Sequence, residues 1–197
     1  MDGKNTAIIS IDMQNDYCDP NGRIAEFGMG VEQLQKVAIK AKEFVEKVRR
    51  TDMSLIHIQM TEDPEFLNEE LVKQRIKEFG EPENWALAEP GTFGYELVLD
   101  VKDNEKIFAK NHYSAFSNYS FTKHLKDNVV KRIIVMGGFT HACVRATVFD
   151  ALERGFEVTV VKDLVASPDV LETKHRWALE EMENKGAKIS LSESVVL

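Results

Sequence analysis

Short apolar or β-branched runs alternate along the whole chain with segments whose apolar positions recur every three or four residues. The first pattern suits strands buried on both faces, and the second suits helices with one dry face. Their alternation predicts a three-layer α/β/α, Rossmann-like fold with about six mainly parallel strands. The predicted strands are Ala7–Asp12, Leu55–Met60, Lys106–Ala109 closing on Lys110, Arg132–Met136, Glu157–Val161 and a short one around Ile189. Val31, Leu34, Val37, Ala38, Ala41, Phe44, Val45 and Val48 make the stripe of a long helix, with Lys36, Lys40, Glu43 and Arg50 left wet. Further helices are predicted near 65–79 and 118–125, and from Cys143 to a terminating Gly155. A last one follows the capping stretch Ser167-Pro168-Asp169, turns Leu171, His175, Ala178 and Met182 inward, and ends near Gly186. Residues 61–99 break this rhythm with Pro64, Pro82, Pro90, Gly91 and Gly94, and are expected to form a lid or substrate wall. The 197 residues show no internal repeat or boundary, so a single domain, 1–197, is expected.

Composition removes several classes of function. Acidic residues outnumber basic ones 33 to 25, a net charge of −8 with no basic stripe, so neither nucleic acid nor an anionic membrane is expected as a partner. No apolar run approaches the roughly 18 residues of a bilayer span. Two cysteines, Cys18 and Cys143, are too few for a disulfide framework, and Met1-Asp2-Gly3-Lys4-Asn5 opens no signal segment, so a cytoplasmic location is expected.

In open parallel sheets, ligands bind beyond the carboxyl ends of the strands. Asp12, Lys110 and Cys143 all fall there. Each alone has an ordinary structural explanation: a satisfied carboxylate, a solvated rim charge, a small buried thiol. On one sheet edge they suit nucleophilic catalysis, with a thiolate at a helix N-terminus, a cation that keeps it ionised, and a carboxylate that carries its proton to a leaving group. Turn amides near Phe139 and at Cys143 could hold an oxyanion. That combination transfers an acyl group to water.

Three ordered motifs carry a resemblance. Ile11-Asp12-Met13-Gln14-Asn15-Asp16, then Lys110 before Tyr113-Ser114-Ala115-Phe116, then Gly137 six residues ahead of Cys143-Val144 resemble the isochorismatase-like cysteine hydrolase superfamily. The likeness continues through Asp150-Ala151, Asp163 and His175. It implies an Asp12, Lys110, Cys143 triad that cleaves a C–N bond through a thioester, a cis peptide between Gly138 and Phe139, and an oxyanion hole from the N–H groups of Phe139 and Cys143. Isochorismatases proper lack the cysteine, so Cys143 points to the amidase branch and to a small amide, ureido or carbamoyl substrate. Nicotinamidases of this superfamily hold a metal through an Asp-x-His pair after the second strand. Here Gln59-Met60-Thr61-Glu62-Asp63-Pro64 contains no histidine, so no metal or other cofactor is expected, and Glu62 and Asp63 read as a solvated acidic loop. The resemblance also implies a homo-oligomer. A nicotinamidase with an atypical metal site, a redox sensor pairing Cys18 with Cys143, and a catalytically silent interaction protein on the same fold remain as alternatives.

Gln14, Phe27, Trp85, Tyr113, Phe116 and His141 are candidates for substrate contact, and Gln14 and Asn15 for orienting Asp12. Arg23 and Arg145 are candidates for pairing a substrate carboxylate. His57 and His175 read as structural, His112 and His124 as surface residues, and Cys18 as a spectator.

Overall fold

Every residue of β1 (Thr6–Ile11) is buried, because successive side chains enter different layers. Ile8 joins a core beneath one face of the sheet; Ala7, Ile9 and Ile11 join a second core on the other. The computed structural model describes residues 3–62 and 69–195. In it, β1, β2 (Ser54–Met60), β3 (Lys106–Lys110), β4 (Arg132–Gly138), β5 (Glu157–Ala166) and β6 (Lys188–Ser190) form one sheet in the order β3-β2-β1-β4-β5-β6. Every neighbouring pair is parallel. The chain walks outward from β1 to β3, then returns to place β4 on the other side of β1. That reversal opens a crevice past the carboxyl ends of β1 and β4, where such sheets bind ligands.

The helices cover both faces as the periodicity requires. α1 (Asn15–Cys18) and α2 (Arg23–Glu26) are single turns, and α3 (Glu32–Val48) lays Leu34, Val37, Ala41, Phe44 and Val48 into the first core. α4 (Glu69–Phe79) belongs to the long connection; the part of its predicted helix from 65 to 68 lies outside the described residues. α5 (Tyr119–Asp127), α6 (Arg145–Glu153) and α7 (Glu172–Asn184) supply Phe121, Leu125, Val148 and Met182 to the second core. No described helix is long and apolar enough to cross a membrane.

Three local readings change. β5 runs on to Ala166, past the predicted end at Val161, because a register shift opposite Val135 and Gly137 lets Lys162 and Asp163 interrupt the apolar run without ending the strand. Asp163 then pairs with Lys40 and receives Ser192 N and Oγ. Asp169 does not cap α7, whose N-cap is Leu171 with no side-chain cap. Its carboxylate instead receives Glu32 N at 3.0 Å and Gln33 N at 3.1 Å, capping α3 from far along the chain. The segment before α6, Thr140–Val144, winds as a π turn rather than continuing the α-helix.

The long connection is stitched down rather than free. Asn15 N donates to Glu96 O and Val98 N to Met13 O, making a short antiparallel bridge beside α1. The Asp16 carboxylate receives Ala88 N at 2.7 Å and lies so close to Gly94 that a Cβ there would stand 2.2 Å from it. Leu87 and Ala88 are thereby buried in the first core beside the segment that follows β1.

Candidate active site

The crevice gathers Asp12 from just after β1, Lys110 from the end of β3 and Cys143 from the turn that follows β4. Asp12 follows β1 with φ of +50°, a left-handed conformation that Asp tolerates better than most residues. Its neighbour across the crevice is Gly137, with φ of +116°, where a Cβ would stand 2.0 Å from Ile11 O. Only glycine allows the end of β4 to lie this close to the end of β1. The Gly138–Phe139 peptide is cis. It leads into the π turn that carries Cys143, and π turns of this kind concentrate at functional sites.

Lys110 ends β3, opposite Met60 at the end of β2. Its side chain is fully buried, and Nζ donates to Asp12 Oδ2 at 2.8 Å. Nζ also stands 3.3 Å from Cys143 Sγ and 3.3 Å from Met60 Sδ. Asp12 is 3% exposed, yet its Oδ1 has no hydrogen-bond partner among the described residues. An ammonium thus joins a carboxylate to a sulfur while one carboxylate oxygen stays open.

Electrostatics distinguish the three groups. Burial raises the Asp12 carboxyl above its usual range, although Lys110 pulls the other way. Burial alone would lower Lys110, but Asp12 and Cys143 facing it outweigh burial and raise it. The Cys143 thiol is pushed up by burial first and by Asp12 next, against the pull of Lys110. This corrects the expectation of a resting thiolate: desolvation and the adjacent carboxylate outweigh the cation. The group in contact with Lys110 and Asp12 is a thiol that must lose its proton on the way to reaction.

A cavity of about 200 Å³ opens onto this cluster. Asp12, Cys143, Tyr17, Glu62, Tyr113, Phe139 and His141 border it, with Met29, Met60, Leu87 and Leu171 as apolar wall. Tyr17 meets the Phe139 ring edge-on at 5.4 Å, and His141 stacks over the same ring at 6.0 Å. His141 Nδ1 is engaged with Ser167 Oγ at 2.8 Å, and His175 Nδ1 with Thr140 Oγ1 at 2.9 Å, so two histidines brace the turn that holds the sulfur.

Other expected contacts lie elsewhere. Phe27 is 41% exposed, with the Arg23 guanidinium over its ring, and does not border the cavity. Trp85 packs with Ala86 and Val72 and donates Nε1 to Gly80 O, because a buried indole N–H needs an acceptor. Phe116 points into the second core against Phe121 and Phe156. Gln14 is fully buried as a strut, its amide spent on Met60 O, Met60 N and Tyr95 O, and Asn15 Nδ2 donates to Phe93 O. Buried amides are consumed by backbone groups, so neither orients Asp12 by a direct hydrogen bond. Arg145 forks onto Glu181 between the rings of Phe149 and Trp177. Glu62, read as solvated, is buried at the cavity wall, and Asp63 lies outside the described residues. Tyr17 was not singled out by sequence, although it follows Asp12 by five residues on the α1 turn that faces the crevice. Cys18 belongs to the first core and Cys143 to the second; burial pushes the Cys18 thiol up to about 12. Both are free, and their separate cores argue against a disulfide switch.

A family model described as "Isochorismatase domain" matches residues 6–194. The ureidoacrylate amidohydrolase RutB of Caulobacter segnis is 28% identical, over 91% of this chain and 81% of its own length. A probable inactive nicotinamidase of Arabidopsis thaliana is 29% identical, over 94% and 91%. The pyrazinamidase of Pyrococcus horikoshii, solved in complex with zinc, superposes with a TM-score of 0.78 at 29% identity, over 95% of this chain and 99% of its own. Among the described residues no three His, Cys, Asp or Glu side chains converge, and His141 is turned to Ser167.

Proposed function

The chain belongs to the isochorismatase family of hydrolases, and from that premise we propose that it is a cysteine amidohydrolase cleaving the C–N bond of a small amide, ureido or carbamoyl compound. One observation carries this reading. Lys110 Nζ bridges Asp12 and Cys143, both of which border the cavity, while Asp12 Oδ1 has no hydrogen-bond partner among the described residues.

In the proposed reaction the open oxygen of Asp12 takes the Cys143 proton as the sulfur attacks the substrate carbonyl carbon. Lys110 stabilises the anionic sulfur during that transfer and keeps the carboxylate in place. Negative charge developing on the carbonyl oxygen falls to the N–H groups of Phe139 and Cys143, on the turn bordering the cavity. Asp12 returns the proton to the departing nitrogen, the C–N bond breaks, and ammonia or an amine leaves behind a thioester. Water then gives a proton to Asp12 and its oxygen to the acyl carbon, and the thiol is regenerated. The raised Asp12 carboxyl suits this double duty, since a stronger acid would be a poorer base.

A panel of primary amides, ureas and carbamoyl compounds scored for ammonia release, before and after exhaustive chelation, tests the reading. Turnover that survives chelation is expected. Ammonia release from no member of the panel, or release undiminished in Cys143→Ala, would contradict it, whereas activity that vanishes with chelator and returns with zinc would place a metal beside the same nucleophile.

A further inference from the structure

One residue bordering the cavity carries a buried polar group that the proposed reaction does not use. Tyr17 borders it, is 5% exposed, and its hydroxyl has no hydrogen-bond partner among the described residues. A buried hydroxyl in that state awaits a partner from a ligand or an ordered water. Burial, then the carboxylates of Glu62 and Asp12, raise its pKa, so it stays protonated and acts as a donor. The packing of Tyr17 against the edge of Phe139 places it on the wall next to the nucleophile's turn.

The charged side chains among the described lining are both acidic, Asp12 and Glu62. Lys110 is committed to Asp12, Cys143 and Met60. Arg145, the arginine nearest Cys143 in sequence, is turned to Glu181. Residues 63–68, which continue from Glu62, include no lysine or arginine. A substrate carboxylate entering this cavity would add a third negative group and meet no cation from the described wall.

Resting on the amidohydrolase reading, we propose that this wall selects an uncharged amide or ureide over a carboxylate-bearing one. Tyr17 is its specificity residue, donating a hydrogen bond to a substrate acceptor other than the scissile carbonyl. The Caulobacter relative is named for ureidoacrylate, whose acrylate is a carboxylate, so this chain would differ from it in the charge it accepts.

Matched pairs test the selection: malonamide against malonamate, and N-carbamoylglycinamide against N-carbamoylglycine, with kcat and KM read from ammonia release. The neutral member of each pair is expected to lead in kcat/KM by at least about ten-fold. Tyr17→Phe, which keeps the ring, should raise KM for the neutral member about ten-fold with kcat within about two-fold. Glu62→Gln should narrow the gap between the pair. Equal or inverted rates within the pairs would overturn the selection while leaving the hydrolase intact, as would a Tyr17→Phe variant with unchanged KM. Should neither member release ammonia and Cys143 form no adduct with any amide, the hydrolase reading falls and this proposal with it. The wild-type ratio is measured without any variant, so poor folding of Tyr17→Phe or Glu62→Gln leaves the test standing.

Discussion

Two buried carboxylates, one at each end of β3, face cations with opposite consequences. Just before β3, Glu105 spends both oxygens: Oε1 receives Arg49 Nε at 2.7 Å, and Oε2 faces Arg49 Nη2, His57 Nε2 and Lys102 N. Burial would raise it, but Arg49, Lys102 and His57 outweigh burial and hold its carboxyl below the usual range. At the other end of β3, Asp12 has one cation and one open oxygen, and its carboxyl is raised. The hollow beside Glu105, about 370 Å³, is larger than the one beside Asp12, so cavity size does not mark the reactive end. A carboxylate saturated with donors fixes structure; one left short of donors, beside a nucleophile, can take and return a proton.

That contrast can be broken at either end. The largest effect is expected from Cys143→Ala, which should cut kcat/KM at least about 10³-fold with the melting temperature little changed. Asp12 must be ionised to act as base, so kcat/KM should fall as pH drops through a value above the ordinary 3.8 of an aspartate. An acidic limb at or below 3.8 would contradict the raised carboxyl. At the other end, Glu105→Gln should leave kcat within about two-fold and cost about 2–4 kcal/mol of stability, less than a fully buried pair because Arg49 reaches water. The sign with pH follows from a depressed folded pKa: the wild-type advantage is full above 4.5 and is lost as pH falls through the lower folded value. Urea melts of the two proteins at neutral and acidic pH read this directly. The smallest effect is expected from Asp169→Ala, which removes the remote cap of α3 and should cost about 1 kcal/mol, roughly 2–4 °C in melting temperature, with unchanged kinetics.

What the sequence made legible followed from local rules. Strand runs, the stripe of α3, and the fall of Asp12, Lys110 and Cys143 on one sheet edge are consequences of periodicity and of where parallel strands end. The misread features depend on partners distant along the chain. Asp169 looks like a local cap and serves a helix that begins at Glu32. Phe116 and Trp85 look like pocket aromatics, yet their surroundings are core. Glu62 looks solvated because nothing in a chain of acidic neighbours reveals that Leu87 O receives its amide and draws it inward. The raised Cys143 thiol escapes a local reading for the same reason, since desolvation is a property of the assembled crevice and not of a helix terminus.

The account depends most directly on covalent chemistry at one sulfur. Acid quench during steady turnover of the best amide, followed by peptide mass mapping, reads it. The expected result is an acyl adduct on the peptide containing Cys143, labile to hydroxylamine and missing in Asp12→Asn. Undiminished turnover by Cys143→Ala, or an adduct confined to Cys18, would contradict it.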